Sequence, residues 1–258
     1  MKLLSGRKFL ITGISNKRSI AFGIAKVMKS YNATVAFTYH NSLIKKKIKK
    51  LIATIDSNIL LHCNVGDDVS INRLKKKLFL YWNSFDGIIH CIAKAKKSEL
   101  SGDYIESVTR KGFYIAHNIS SYSFVALAKV FRNMLNAHSS LVTLTYIGSN
   151  QVIPNYNVMG VAKASLEANV KYMAYYMKKS FIRVNAISVP PIVTLSSSGI
   201  TGFRKIYKDY VSSSIKNNVV TSHDIGNIVV FLCSKLSSSV TGQIIYTENG
   251  FSEFFNCK

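Results

Sequence analysis

Two tyrosines and a lysine in the middle of the chain could together stabilise negative charge on a carbonyl oxygen. Tyr156 and Lys163 are seven residues apart, and Tyr146 lies ten residues before Tyr156. A tyrosine hydroxyl can donate a hydrogen bond to a carbonyl oxygen and stabilise the charge that grows there during hydride attack. A nearby ammonium can hold the ribose hydroxyls of a cofactor and favour the same charge. The spacing predicts that Tyr156 and Lys163 share one face at the start of a long helix, about two turns or roughly 10 Å apart.

Each of these residues, taken singly, also fits an ordinary structural role. Lys163 is one of many lysines in this chain, and most lysines lie in solvent. Either tyrosine could be a packed aromatic ring with a polar tip. The chemistry therefore depends on which elements bring the three side chains together.

A turn near the N-terminus could bind a phosphate group. Gly13 follows the first predicted strand, and Ser19 opens the first predicted helix. Gly13 permits a sharp turn, backbone N–H groups and the helix dipole face a pyrophosphate, and Gly23 allows close packing of the helix on the sheet. Ser19 is a suitable N-cap residue. The usual glycine spacing is absent, so an ordinary strand–helix loop remains an alternative.

Two later strand ends favour a nucleotide. The second predicted strand leads into His40, where an adenosine ribose is expected, and the third leads into Asn64, which can meet the adenine edge. Dinucleotides bind outside the carboxyl ends of parallel strands. His40 fits a surface histidine near the adenosine better than a catalyst.

Strand and helix patterns alternate along the chain, and several strands are continuously apolar, as in a buried parallel sheet. This predicts an α/β fold, a single Rossmann-like doubly wound parallel sheet flanked by helices and joined by right-handed crossovers, in one domain over 1–258. The predicted strands are Lys8–Gly13, Ala33–Thr38, Asn58–Cys63, Asp86–Ala93, Ser140–Tyr146, Ile182–Ser188 and Gln243–Thr247. The predicted helices are Ser19–Tyr31, Ser42–Thr54, Val69–Trp82, Phe113–Asn136, Asn157–Lys178, Phe203–Lys216 and Ser222–Cys233. The stretch Val193–Thr201 is irregular.

The composition indicates which kinds of partner and which cellular compartment suit this chain. The net charge is +22, but the lysines are spread over many segments. This distribution is best explained by compositional drift together with solvated helix faces. An acidic protein partner is the second explanation, and a nucleic-acid partner is the least favoured. Apolar runs are too short to span a bilayer, so we expect no membrane insertion. The four cysteines, Cys63, Cys91, Cys233 and Cys257, show no metal-binding spacing and indicate reduced thiols in the cytoplasm.

Several segments resemble one family over essentially the whole chain. They include Ser19–Ala21, Asn155–Gly160, Ala162–Val170 and Val184–Ser188. These look like the bacterial NADH-dependent enoyl-[acyl-carrier-protein] reductases, a divergent branch of the short-chain dehydrogenase/reductases. In that branch the tyrosine and lysine are seven residues apart, whereas ordinary members of the wider family have them four apart.

The resemblance implies a reaction and a set of roles. A trans-2-enoyl thioester on acyl carrier protein would accept hydride from NADH at its β-carbon, as in fatty acid elongation. Tyr156 would stabilise the enolate, Lys163 would bind the nicotinamide ribose, and Tyr146 would line the acyl site. By position, the cofactor contacts would be Gly13, Ser19, Ile20, His40, Asn64, Val65, Ile92, Ala93, Lys163, Ile192 and Thr194. The substrate contacts would be Ala95, Tyr146, Tyr156 and Phe203, with a substrate-binding segment near 193–216 in which Thr194–Gly199 matches the substrate loop.

The resemblance also implies partners. Arg204 and Lys205 would form a basic patch that meets the acidic carrier protein. The family is typically homotetrameric, with the two long predicted helices at a subunit interface. His40 offers at most a partial positive charge for a 2′-phosphate, which favours NADH without excluding NADPH.

Four positions depart from the family pattern. Asn64 replaces the usual aspartate, Ala93-Lys94 replaces Gly-Phe, Pro190-Pro191 replaces Gly-Pro, and Glu248-Asn249-Gly250 replaces Asp-Gly-Gly. These changes bear on cofactor affinity and rate. Two alternatives stay open: a short-chain reductase that acts on a ketoacyl thioester, and a basic binding protein on a decayed reductase scaffold.

Overall fold

The structure is a computed structural model that describes residues 2–195, 197–199, 202–213 and 219–250. The described residues form one seven-stranded sheet in the order β3-β2-β1-β4-β5-β6-β7, and every neighbouring pair of strands is parallel. The strands are β1 Lys8–Thr12, β2 Thr34–Tyr39, β3 Leu60–His62, β4 Phe85–His90, β5 Leu135–Thr145, β6 Arg183–Ser188 and β7 Ile244–Tyr246. The predicted α/β class and Rossmann-like sheet are confirmed.

Helices cover both faces of this sheet. The described helices are α1 Ile20–Ser30, α2 Lys45–Ala53, α3 Asp68–Phe79, α4 Tyr104–Ser107, α5 Arg110–His117, α6 Ser123–Phe131, α7 Val158–Met177, α8 Phe203–Ser213 and α9 Ser222–Cys233, and six of them pack on the sheet. One core joins the sheet to α3, α6 and α7, and the other joins it to α1, α2 and α9. Side chains alternate between the two cores along a strand, so Leu10 faces the first and Phe9 the second.

The connection from β6 to β7 departs from the predicted rule of handedness. Helices α1 and α9 pack closely on the same face of the sheet. However, β2 lies on one side of β1, whereas β7 lies on the opposite side of β6. The β6–α9–β7 crossover therefore has the opposite hand to the β1–α1–β2 crossover and is the exception to the right-handed preference.

Gly23 serves the contact between helices and not, as predicted, a contact between helix and sheet. A Cβ at Gly23 would lie 2.2 Å from the Ser222 hydroxyl of α9, and a Cβ at Gly226 would lie 2.6 Å from Cγ2 of Val27. Two glycines, one from each helix, thus let α1 and α9 approach closely. This contact holds the N-terminal end of α1 in place below the nucleotide turn.

The prediction of one continuous helix over Phe113–Asn136 was wrong. Helices α5 and α6 are separated by a π-helical turn, Asn118–Tyr122, and the chain enters β5 at Leu135. In the π turn, the Ser120 hydroxyl accepts the backbone N–H of Lys94 at 2.9 Å, and the Ser121 hydroxyl contacts that of Ser165 at 2.8 Å. Hydrogen bonds to two other elements therefore offset the irregular helix geometry.

Five of the seven strands end one residue away from the predicted residue, and the fourth ends three residues early. The fourth strand ends at His90 instead of Ala93, and the fifth ends at Thr145, one residue before Tyr146. The extra residues form the loops that line the site. The predictions for Thr201, for the helix beyond Ser213 to Lys216 and for Cys257 lie outside the described residues, as does residue 196 within the predicted substrate loop.

Candidate active site

All of the predicted cofactor and substrate residues line one cavity of about 660 Å³. They reach it from loops that follow the carboxyl ends of six strands, which is where ligands bind in open α/β sheets. The structure brings together Gly13, Ser19, Ile20, His40, Asn64, Val65, Ile92, Ala93, Ala95, Tyr146, Tyr156, Lys163, Ile192, Thr194 and Phe203. Arg204 and Lys205 lie outside the lining and are exposed in the first turn of α8.

Lys163 lies on α7 and is only 5% exposed. Its Nζ donates a hydrogen bond to the backbone oxygen of Leu144 at 2.7 Å. Burial lowers the pKa of Lys163 to about 8, against the opposing effects of Cys91 and Glu167. An ammonium has three donors, so two remain after the bond to Leu144. The alternative role of Lys163, that of one more solvated lysine, is excluded by this burial.

Tyr156 does not lie on the helix that carries Lys163, in contrast to the prediction. Helix α7 begins at Val158, and Tyr156 lies in the turn before it. Asn155 and Asn157, on either side of Tyr156, have φ of 65° and 39°. Asparagine tolerates positive φ better than most residues, but such a backbone cannot continue a right-handed helix. The side chain of Asn157 fixes the turn by donating to the Gly102 backbone oxygen at 3.2 Å.

The two tyrosines nonetheless meet in the cavity. The rings of Tyr146 and Tyr156 are 4.9 Å apart between centroids, at an interplanar angle of 75°. Burial raises the pKa of both hydroxyls, with Glu248 adding to the effect on Tyr146 and with Tyr146 and Glu167 adding to it on Tyr156. Both phenols therefore stay protonated at neutral pH. The Tyr146 hydroxyl is buried without a hydrogen-bond partner among the described residues.

Glycines position the Tyr156 ring. A Cβ at Gly148 would lie 2.5 Å from Cδ1 of Tyr156, and a Cβ at Gly160 would lie 2.5 Å from the Gly148 backbone oxygen. The loop after β5 and the first turns of α7 thus approach each other around this ring. Sequence reasoning included Gly160 in a motif but missed the role of both glycines, because the contact joins two separate elements.

The nucleotide turn fits tightly against the end of β4. Gly13 has φ of +85°, and a Cβ there would lie 1.9 Å from the backbone oxygen of Cys91. Only glycine meets both conditions. Burial raises the pKa of the Cys91 thiol to about 12, with Lys163 opposing, so the thiol stays protonated beside the cavity.

Ser19 stabilises the turn by a different route from the predicted one. It is the N-cap residue of α1, but its hydroxyl does not cap the helix. The Ser19 hydroxyl instead accepts the backbone N–H groups of Ser15 and Asn16, at 3.0 and 2.9 Å, and donates to the Asn16 backbone oxygen at 2.7 Å. The loop is thereby closed on itself just before Ile20 starts the helix.

The far end of the cavity carries the residues predicted for adenosine. His40 is exposed directly after β2, and Val65 is buried after β3. The Asn64 side-chain oxygen already accepts the Gly66 backbone N–H at 3.2 Å. An amide oxygen has two lone pairs, so the Asn64 oxygen can accept one more hydrogen bond.

Three of the four positions that depart from the family pattern, Asn64, Ala93-Lys94 and Pro190-Pro191, lie in the cavity wall, and Glu248-Asn249-Gly250 lies outside it. Ala93 is exposed there, and Lys94 is fastened through its backbone to Ser120. Pro190 and Pro191 are buried and line the cavity after β6. Proline has no N–H, so this stretch of the wall offers no backbone donor from either residue.

The loop after β6 is organised by Thr194. Its backbone N–H and its hydroxyl both contact the Ser197 hydroxyl, at 2.8 and 3.1 Å, and Ser197 also donates to the Ile192 backbone oxygen at 2.7 Å. Phe203 begins α8 and is half-buried. This side of the cavity is therefore covered by a short hydrogen-bonded turn and an aromatic ring.

Further lining residues were missed by sequence reasoning. Most are apolar side chains that carry no chemical signal in a sequence, and Lys97 was hidden among many lysines. They include Ile14, Ile44, Leu100, Ile119, Ile153 and Met159. The lining also contains Leu195 and Ile206, which belong to the predicted substrate segment near 193–216. These residues make one part of the wall suitable for an acyl chain.

The sheet order, the nucleotide turn and the grouped tyrosines and lysine define a nicotinamide-dependent reductase of the short-chain dehydrogenase/reductase type. A family model described as enoyl-(acyl carrier protein) reductase matches residues 13–252. The chain therefore belongs to the enoyl-[acyl-carrier-protein] reductase family.

Individual relatives agree with this assignment. The enoyl-[acyl-carrier-protein] reductase [NADH] of Buchnera aphidicola subsp. Baizongia pistaciae is 53% identical over 252 residues, covering 98% of this chain and 97% of that protein. The crystal structure of the NADH enoyl-[acyl-carrier-protein] reductase of Aquifex aeolicus VF5 has a TM-score of 0.94 and 40% identity, covering 96% and 97%. The Bacillus cereus enoyl-acyl carrier protein reductase, solved with NADP+ and indole naphthyridinone, has a TM-score of 0.95 and 36% identity, covering 98% and 99%. No described helix is both long and apolar enough to span a membrane.

Proposed function

We propose that this chain reduces the 2,3 double bond of an enoyl thioester carried on acyl carrier protein, with NADH as the hydride donor, in fatty acid elongation. One observation carries the proposal. The paired rings of Tyr146 and Tyr156 and the buried ammonium of Lys163 line the same cavity as the nucleotide turn at Gly13. Residues suited to binding a dinucleotide and to stabilising a carbonyl oxygen thus share one site.

The residues present fit a nicotinamide dinucleotide. The Tyr146 hydroxyl is a buried polar group without a partner among the described residues, and Lys163 has donors to spare. Gly13, Ser19 and Ile20 would hold the pyrophosphate, His40, Asn64 and Val65 the adenosine, and Lys163 the nicotinamide ribose. The remaining contacts to the cofactor would come from Ile92, Ala93, Ile192 and Thr194. When bound, the cofactor supplies a hydride to the β-carbon of the enoyl thioester.

Tyr156 acts on the thioester carbonyl. Hydride addition at the β-carbon moves electron density to the carbonyl oxygen, and the Tyr156 hydroxyl donates a hydrogen bond to that oxygen. Because burial raises the pKa of Tyr156, the phenol remains a donor throughout the neutral pH range. A donor that is already in place stabilises the developing charge without reorganisation.

Tyr146, Ala95 and Phe203 form the substrate side of the cavity. Tyr146 supports the Tyr156 ring edge to face and lines the cavity beside it. Ala95 and Phe203 contact the acyl chain together with apolar residues of the wall. The turn of Thr194 and Ser197 covers this side and limits the access of water.

Glu167 acts electrostatically on both Lys163 and Tyr156. It is buried one turn after Lys163 on α7, and its carboxylate accepts the Thr145 hydroxyl at 2.6 Å. A buried negative charge favours the protonated form of the neighbouring lysine. Glu167 therefore keeps Lys163 able to donate to the ribose hydroxyls, and keeps Tyr156 in its phenol form.

The remaining parts of the proposal concern partners and surroundings. Arg204 and Lys205 are exposed on α8 beside the cavity residue Phe203, which suits a docking patch for the acidic carrier protein. We also propose one domain over residues 1–258 that includes the substrate segment near 193–216, a homotetramer, and a cytoplasmic location. The three described cysteines are free thiols, which fits a reducing compartment.

A substrate comparison tests the proposal. Purified chain is mixed with NADH and either a crotonyl thioester or an acetoacetyl thioester, each presented on acyl carrier protein. Oxidation of NADH with the crotonyl thioester, and much slower oxidation with the acetoacetyl thioester, is expected. A preference for the acetoacetyl thioester would instead identify a ketoacyl reductase, and no oxidation with either substrate would favour a binding protein.

A further inference from the structure

Two lysines in the wall of the main cavity have no role in the proposed reaction. Lys94 and Lys97 line the cavity from the loop between β4 and α4, and both are exposed. The third lysine of the lining, Lys163, is buried and is assigned to the nicotinamide ribose. No carboxylate is among the lining residues that the structure describes. The wall thus carries two positive charges that the proposed reaction does not use.

The carboxylate of this loop does not neutralise the two lysines. Glu99 is 1% exposed, and its Oε1 accepts the Thr109 hydroxyl at 2.7 Å and pairs with Lys96 Nζ at 3.3 Å. The other salt bridge within the described ranges lies at the opposite edge of the sheet. Lys94 and Lys97 therefore have no acidic partner in the part of the chain that the structure describes. Unpaired cations at the rim of a cavity suit a bound anion.

The β4–α4 loop is fastened beside the turn that carries Tyr156. The Lys94 backbone N–H donates to the Ser120 hydroxyl at 2.9 Å, and this hydroxyl contacts Met159 Sδ at 3.7 Å. The Met159 backbone N–H donates in turn to the Tyr156 backbone oxygen at 2.9 Å. Ala95, which lies between the two lysines in sequence, packs against apolar residues of α5 and α7. The two lysines therefore belong to the catalytic end of the cavity and not to its adenosine end.

The β4–α4 loop and the start of α8 border the same turn. On one side, Asn157 donates to the backbone oxygen of Gly102 in the β4–α4 loop at 3.2 Å. On the other side, a Cβ at Gly202 would lie 3.4 Å from Nδ2 of Asn155. Gly202 directly precedes α8, which carries the proposed docking patch for the carrier protein. A thioester that reaches Tyr156 from this patch therefore passes close to the β4–α4 loop.

The substrate itself supplies an anion at this place. Acyl carrier protein holds its acyl chain on a phosphopantetheine arm, and a phosphodiester joins the arm to the protein. When extended, the arm spans roughly 15 Å, the length of about four residues of extended chain. With the thioester carbonyl at Tyr156, the phosphate lies at the solvent-exposed mouth of the cavity. A lysine ammonium on its flexible stem binds such a phosphate as a point charge.

We propose that Lys94 and Lys97 bind the phosphate of the phosphopantetheine arm, so that this chain selects phosphopantetheine thioesters over thioesters without a phosphate. The inference rests on the proposed function, since it requires an enoyl thioester at Tyr156. It assigns recognition of the arm to the β4–α4 loop, and recognition of the carrier surface to Arg204 and Lys205. Lys94 replaces the phenylalanine of the family pattern, so the pattern itself does not supply this charge.

The test compares crotonyl-pantetheine with crotonyl-4′-phosphopantetheine, which differ only in the phosphate. Steady-state kinetics with saturating NADH give kcat/KM for each thioester in the unmodified chain and in Lys94→Ala/Lys97→Ala. The matched control is Lys76→Ala/Lys77→Ala, which removes two exposed charges from α3. Calorimetry with NAD+ in place of NADH gives the Kd of each thioester without turnover. Fluorescence of the reduced nicotinamide gives the Kd of NADH.

The unmodified chain should prefer the phosphopantetheine thioester by roughly tenfold in kcat/KM, mainly through KM, because two charge-assisted contacts are added. Added salt should weaken this preference, since exposed charges are screened. The preference should disappear in Lys94→Ala/Lys97→Ala, with an unchanged Kd for NADH, and should persist in the control. If the phosphate tightens binding to the unmodified chain but not to Lys94→Ala/Lys97→Ala, and no thioester is reduced, the phosphate site stands and the proposed function fails.

Several results would overturn the phosphate site while the proposed function stands. The unmodified chain could reduce both thioesters equally well, the preference could survive in Lys94→Ala/Lys97→Ala, or the control variant could lose it to the same extent. Weaker NADH binding in Lys94→Ala/Lys97→Ala, with the preference unchanged, would assign the lysines to the diphosphate of the cofactor. A rise in KM confined to crotonyl-acyl carrier protein would assign them to the surface of the carrier.

Discussion

The Tyr156 ring packs edge to face on the Tyr146 ring, with centroids 4.9 Å apart. Such aromatic pairs favour one relative orientation of the two rings. Tyr146 follows β5, and Tyr156 lies in a turn held by the positive φ of Asn155 and Asn157. The ring pair therefore fixes the hydroxyl of Tyr156, which lies in a turn and not in a helix. This hydroxyl is the donor to the thioester carbonyl in the proposed mechanism.

Replacement of Tyr156 by phenylalanine should lower kcat for the crotonyl thioester by roughly tenfold to a hundredfold, because one donor to the developing enolate is lost. The ring packing on Tyr146 stays, so the thermal midpoint should hold. Steady-state rates and thermal unfolding give the two values. Tyr172→Phe, at an exposed position on α7, is the control. An unchanged kcat in Tyr156→Phe would assign the donor role elsewhere.

The affinity for NADH should fall as the pH rises through about 8. Burial lowers the pKa of Lys163 to this value, so the ammonium that holds the ribose is present below pH 8 and is lost above it. The Kd should rise by up to about tenfold for each pH unit above the pKa. Binding titrations from neutral to alkaline pH test this. Lys163→Gln should bind weakly at every pH, and an identical pH profile in this variant would rule out Lys163 as the titrating group.

A methyl group at Gly148 should displace Tyr156. The new Cβ would lie 2.5 Å from Cδ1 of the ring, so the ring must move by about 1 Å, and a displacement of this size can cost roughly a hundredfold in rate. Gly148→Ala should therefore lower kcat with little change in the Kd of NADH. Val152→Ala changes an exposed side chain in the same loop, and this control should leave kcat unchanged. A normal kcat in Gly148→Ala would show that the loop yields instead of the ring.

His90 should make the fold sensitive to acid. Its Nδ1 contacts the Thr143 hydroxyl and its Nε2 the Ser123 hydroxyl, each at 2.8 Å, and burial together with Lys163 lowers its pKa to about 3. Ser123 gives its proton to the Ile119 backbone oxygen, so Nε2 donates to Ser123. The lowered pKa keeps the ring neutral, and Nδ1 therefore accepts the Thr143 hydroxyl.

Between the ordinary pKa of 6.5 and about 3, only the unfolded state binds this proton. The stability is fully present above pH 6.5 and falls below it by about 1.4 kcal/mol per pH unit. Urea unfolding at pH 7 and pH 5 measures the loss. His90→Gln, which removes the titrating group, should show a smaller difference between the two pH values, and an equal difference would refute the assignment.

The carrier-protein patch is tested by charge reversal. Arg204→Glu/Lys205→Glu should raise KM for an enoyl thioester on acyl carrier protein by roughly tenfold at low salt, and by less at high salt, because exposed charges are screened. KM for a crotonyl N-acetylcysteamine thioester, which lacks the carrier, should not change. Lys76→Glu/Lys77→Glu on α3 is the matched control. Equal effects on both substrates would mean that the patch does not dock the carrier.

The fold was largely predictable from the sequence because buried parallel strands are continuously apolar. The hand of the β6–α9–β7 crossover was not, since it depends on which face α9 covers. The break between α5 and α6 was also missed, because the bonds of Ser120 and Ser121 lead to a loop and a helix distant in sequence.

The candidate site was predicted well where residue type carries the chemistry, as at Tyr146, Tyr156 and Lys163. The setting of Tyr156 was not predictable from its seven-residue spacing to Lys163, because the helix begins only after the strained Asn157. The fit of Gly148 against the Tyr156 ring was equally hidden, since it depends on atoms from two elements.

The most direct test of the central claim is product analysis after single turnover with NADH deuterated at the transferred position. The substrate is a crotonyl thioester on acyl carrier protein, and mass spectrometry locates the label in the acyl chain. The proposed mechanism requires deuterium at the β-carbon of a butyryl product, with strongly reduced formation of this product in Tyr156→Phe. Recovery of unlabelled crotonyl thioester would contradict it. So would a parallel reaction in which only an acetoacetyl thioester is reduced, with the label in a hydroxyacyl product.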